Sequence, residues 1–88
     1  MAVWGLDVQQ VRELATLLGQ KADEIDQIRA VLTTKLNATQ WTGPDSEKFR
    51  ADWSGQHTSS LNQVAQALRD TQQRANQNAQ DQETASNA

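Results

Sequence analysis

Cysteine is absent from the 88 residues. That excludes disulfides, thiol catalysis and most structural zinc sites, and it leaves the redox compartment open. Large apolar groups are scarce: 36% of residues are hydrophobic, 5% are aromatic, and the mean hydropathy is -0.77. A chain this short buries a modest share of its surface. With so few large side chains, one copy would barely offset its conformational entropy, so oligomerisation is expected to supply the missing burial. There is no basic excess either. The eight Lys and Arg are scattered among eleven Asp and Glu, for a net charge of -3 and a pI near 4.9. A nucleic-acid-binding domain carries a basic face, so no nucleic-acid partner is expected. No apolar run approaches the roughly 20 residues that cross a bilayer. Met1 to Asp7 hold no basic n-region and no long apolar h-region. Any export is therefore expected without a cleaved signal peptide.

Chemistry-bearing residues are equally sparse. His57 is the only histidine. At helical spacing its neighbours are Trp53, Ser54, Ser60 and Leu61, which places it on an apolar stripe rather than beside a nucleophile. Packing or partner contact is the expected role. Asp23, Glu24 and Asp26 cluster beside Lys21 and Arg29. Carboxylates do acid–base chemistry only where a pocket raises one pKa, and these are expected on a solvated face. No metal-ligand spacing and no glycine-rich phosphate loop occurs. No catalytic residue, cofactor or metal is expected.

What is present is helical periodicity around one break. The only proline lies in Trp41-Thr42-Gly43-Pro44-Asp45, and Gly-Pro is a strong interruption. Before it, Asp7 is a good N-cap. Val11, Leu14, Leu18, Ile25, Ile28 and Leu32 then form one stripe of a helix over about 8–38. Arg12, Gln20, Asp23, Gln27 and Thr34 lie on the other face. Gly19 costs that helix about 1 kcal/mol relative to Ala; it either lets another helix approach or is a tolerated surface glycine. After the break, Pro44 suits a first helical turn, and Asp45 and Glu47 suit the positive end of the helix dipole. Phe49, Trp53, Leu61, Val64 and Leu68 carry the second stripe, over about 45–80, with Gly55 and His57 filling a gap. Residues 81–88 are expected to be a flexible tail.

Two long helices joined by a short turn, about 40–44, fold back antiparallel. The predicted fold is all-α: a helical hairpin whose flanks stay bare until a second hairpin completes a four-helix bundle. The two stripes are the expected core and dimer interface. Trp41 would cap the open end of the bundle. Gly43 would supply φ > 0 at the helix boundary, which makes Gly43→Val destabilising. Trp4 either staples back toward Val11 or docks into a partner. An amphipathic stripe can also lie on a membrane, but such helices tend to be basic, so a membrane role is not expected.

A chain of this length, with a central Trp41-Thr42-Gly43 between two amphipathic helices and Phe49 and Trp53 in an F-x-x-x-W pattern, resembles the WXG-hundred family. These are the ESAT-six-like small proteins of type VII (ESX) secretion systems. The resemblance covers nearly the whole chain. It implies a dimeric four-helix bundle of identical or related chains, exported without a cleaved signal. It implies a secreted substrate or effector, virulence-related or interbacterial, or a partner chaperone, with a secretion ATPase as a further partner. Family export signals combine the turn of one subunit with a C-terminal Tyr-x-x-x-Asp/Glu. This chain has no tyrosine; its nearest spacings are Gln77 to Asp81 and Ala79 to Glu83. Only the turn, Trp41 and Gly43, carries over. The chain would then be the signal-free half of a heterodimer, a homodimer with a relaxed signal, or a relative outside export. An intracellular adaptor and a membrane-perturbing effector are the alternatives.

Overall fold

The structure, a computed structural model, describes residues 5–87, with side chains through residue 86. Trp4, and the staple considered for it, lie outside these residues. Among the described residues every regular element is helical. Helix α1 spans Val8–Ala38. Asp7 caps it, its carboxylate accepting from the Gln10 N–H at 2.9 Å. That bond satisfies one of the amides that a helix start leaves unpaired. The second arm begins with α2, Pro44–Asp52, passes through a π-helical turn, Trp53–His57, and continues as α3, Thr58–Asn87. The arms lie antiparallel. Arg12 near the start of α1 pairs with Glu83 near the end of α3, and Thr33 meets Trp53 beside the turn. The result is a rod 65 Å long.

Small residues form the middle of the seam between the arms. Ala15 and Ala22 of α1 and Ala65 and Ala79 of α3 are essentially without exposure. Each pair repeats at a multiple of seven, which keeps it on one helix face. Gln72, midway between Ala65 and Ala79, lies over Gly19: a Cβ built on Gly19 would fall 2.6 Å from the Gln72 Nε2. The bulkiest residue of that row thus meets the smallest of the other. Val11, Leu18, Ile25, Leu61 and Leu68 are half-buried beside the alanines. Gly19→Ala is expected to raise stability by up to about 1 kcal/mol, because only a flexible amide must move while helix propensity improves. A lower melting temperature for that variant would mean that the seam does not open at this point.

Two features depart from the sequence reading. The second arm is not one regular α-helix. At the π-turn the Thr58 N–H donates to the Trp53 carbonyl, five residues back. The extra residue per turn lets Trp53 and Leu61 share a face although they are further apart than a two-turn α-helical repeat. This accounts for the gap around Gly55 and His57. The tail also stays helical past residue 81, to Asn87. It is tied to α1, with Glu83 on Arg12 and the Arg12 guanidinium donating to Gln80 at 3.3 Å. A polar, alanine-rich composition gave no sign of that docking.

Candidate functional site: the turn end and the apolar flank

The end of α1 is closed by a residue of the other arm. A helix C-terminus leaves carbonyls without helical partners. Arg50 of α2 reaches across and donates to the Leu36 carbonyl at 2.8 Å, the Thr39 carbonyl at 3.1 Å and the Trp41 carbonyl at 3.4 Å. Its Nε donates to the Ser46 Oγ at 3.0 Å, and the buried Ser46 hydroxyl donates to the Trp41 carbonyl at 2.7 Å. The guanidinium fork suits this multiple capping. Gly43 precedes α2 with φ 125 and ψ 173, a backbone region essentially confined to glycine. Gly43→Val is therefore expected to cost about 2 kcal/mol, read as a lower urea midpoint with an unchanged slope. An unaltered midpoint would mean that the turn relaxes at no cost.

From this turn an aromatic row runs up the second arm. Trp41 and Phe49 have ring centroids 6.4 Å apart. Phe49 and Trp53 are stacked at 6.2 Å, and His57 sits 6.4 Å from both Phe49 and Trp53. Such separations are those of favourable aromatic pairs. Trp53 is buried, 8% exposed, and its indole N–H donates to the Thr33 Oγ1 at 2.9 Å. Trp41 and Phe49 are each 43% exposed. The row continues into α1: Leu32, Lys35, Leu36 and Thr39 form an open groove with Phe49 and Trp53. Beside it Glu24, Gln27, Ile28, Val31 and Leu32 line a second one.

The interface residues expected from sequence therefore divide by place. Trp53 is in the core. Val11, Leu18, Ile25, Leu61 and Leu68 flank the seam. Leu14, Ile28, Leu32, Phe49 and Val64 remain about half exposed, together with Leu17 and Val31. Large apolar groups left at this exposure form one flank of the rod. Sequence reasoning missed Ala15, Ala65 and Arg50. The alanines carry no signal beyond their sevenfold spacing, and Arg50 carries none, since its targets are main-chain atoms of the other arm.

Several charged groups tie the arms together or pair along one helix. Arg69 of α3 donates to Asp26 at 2.6 Å and to Asp23 at 2.9 Å on α1, so part of the expected solvated acidic face is an inter-arm tie. Hydrogen bonds to Asp23 and Asp26 raise the Arg69 pKa. On α2, the hydrogen bond from Lys48 and then its charge hold the Asp52 carboxyl below the usual carboxylate range. Among the described residues no group of three or more His, Cys, Asp or Glu could hold a metal ion, and no helix is long and apolar enough to cross a membrane. What the arrangement offers is a surface for packing, centred on Ile28, Leu32, Phe49 and Trp41. Compared with family models, with curated proteins and with solved structures, the chain gives no match.

Proposed function

We propose that this chain is a small substrate or partner chaperone of a type VII (ESX-like) secretion system and acts by helix–helix packing. A second copy, or a related small helical protein, covers the apolar flank and completes a four-helix bundle. The secretion ATPase is a further partner, and the chain leaves the cell without a cleaved signal. The observation that carries this reading is the flank itself. Leu14, Leu17, Ile28, Val31, Leu32, Phe49 and Val64 lie on one side of a hairpin whose own seam is filled by alanine. Contiguous exposed apolar surface marks an interaction site, and here the hairpin's own residues do not cover it. The resemblance of Trp41-Thr42-Gly43 and its helical setting to the WXG-hundred pattern supplies the secretion context.

The test is expression of the tagged chain in a bacterium with an active type VII system, with lysate and culture medium probed separately. Appearance in the medium that stops when the secretion ATPase is deleted supports the reading. Confinement to the lysate would instead favour an intracellular helical adaptor. Trp41→Ala is expected to leave the helical circular dichroism intact, because Trp41 lies outside the helices and is half exposed, while weakening export or docking. Normal secretion of that variant would remove the turn from the signal.

A further inference from the structure

A further groove lies across the seam from the apolar flank, and polar side chains share its lining with Leu36 and Trp53. Arg29, Thr33 and Asn37 each follow by one residue Ile28, Leu32 and Leu36, which turns them about 100° around the α1 axis. With Arg50, Asn62 and the Trp53 indole they line a groove at the turn end of the rod. We propose that this groove binds an oxyanion, a carboxylate or a phosphate.

Two arginines, Arg29 and Arg50, line the groove, and its described lining holds no carboxylate. That is unusual for a chain with a net charge of -3. Arg29 is poorly neutralised. Among the described residues its one ion pair, to Asp26, is long at 3.9 Å, while Asp26 is taken at 2.6 Å by Arg69. The Arg29 Nε is buried and has no hydrogen-bond partner among the described residues. A guanidinium held this loosely gains by turning toward an acceptor that enters the groove, and charge-assisted bonds to carboxylate or phosphate are the strong ones. Arg50 spends its donors on three carbonyls and a hydroxyl, none of which carries a full negative charge. Thr33 accepts from Trp53 and keeps its own hydroxyl hydrogen to donate. Asn37 and Asn62 stand on opposite walls, each with an amide that donates and accepts. The groove lies on the flank away from the one assigned above to a helical partner, so it does not depend on that assignment.

The experiment is a nuclear magnetic resonance titration of the full chain at constant ionic strength. Inorganic phosphate is added in one series and an acetylated tetraglutamate amide in another. Saturable shifts of the Arg29 Nε–Hε signal and of the Asn37 and Asn62 amide signals are expected with at least one probe. Response to phosphate alone identifies a phosphate-type ligand; response to the peptide alone identifies carboxylates, as on an acidic partner segment. Asn62→Asp places a carboxylate in the exposed wall and should weaken binding about tenfold, the scale of one charge-assisted hydrogen bond. Arg74→Gln, which alters net charge equally but lies outside the groove, should leave it unchanged. Absence of shifts with both probes, or the same affinity in Asn62→Asp, overturns the proposal.

Discussion

Trp53→Ala is expected to lower the unfolding free energy by about 3–5 kcal/mol, the range for deleting a large buried aromatic. Among the described residues Trp53 is the one large apolar side chain in a core otherwise made of alanine. It sits in the π-turn, stacks on Phe49 at 6.2 Å and lines both the apolar groove and the mixed one across the seam. Its loss would leave a cavity where the arms meet and would strip Thr33 of the indole donor. Small domains have only about 5–15 kcal/mol in total, so this variant should be close to unfolding. Trp53→Phe keeps most of the packing and loses the hydrogen bond, and should cost only about 1–2 kcal/mol. Urea melts at one fixed protein concentration check both, since self-association would otherwise shift the midpoint. Equal losses in the two variants would show that the hydrogen bond, not the burial, joins the arms.

Arg50→Met is expected to cost about 3 kcal/mol, read from the same melts. The figure is that of a few charge-assisted hydrogen bonds, reduced because some freed carbonyls reach water. Methionine keeps a stem of similar length, so the loss isolates the guanidinium. The Leu36, Thr39 and Trp41 carbonyls would lose their shared donor, and Ser46 would keep only its bond to Trp41. Hydrogen exchange should accelerate at the last turn of α1 and the first of α2, with little change near Ala15 and Ala79. Uniform acceleration along the rod would instead mean that Arg50 supports the whole hairpin rather than its turn.

Much of the architecture could be read from the chain because it rests on local rules. Asp7 is a cap because a short acidic side chain meets an amide three residues on. The break at Gly43-Pro44 follows from what those two backbones permit. Sevenfold spacing marked which face of each arm is apolar. The same pattern left open which apolar residues line the seam and which stand at its flank. Alanines occupy the line between the arms, and Leu14, Ile28 and Leu32 stand beside it. Close approach of two helices selects small residues between them, and spacing alone does not tell how close the axes come.

By itself, then, the sequence determined two amphipathic helical arms, where they part, and that one copy leaves apolar surface uncovered. These depend on residues within a turn or two of each other. Only the tertiary structure decided that Gln72 lies over Gly19, that Arg69 ties Asp23 and Asp26, that Arg50 closes α1, and that Arg29 and Arg50 share a groove. Each of these pairs residues from different arms, or from the two sides of the turn. The turn sets the register of Arg50 against α1, while that of Arg69 and Gln72 depends also on the π-helical residues Trp53–His57, whose extra residue shifts the phase of everything after it.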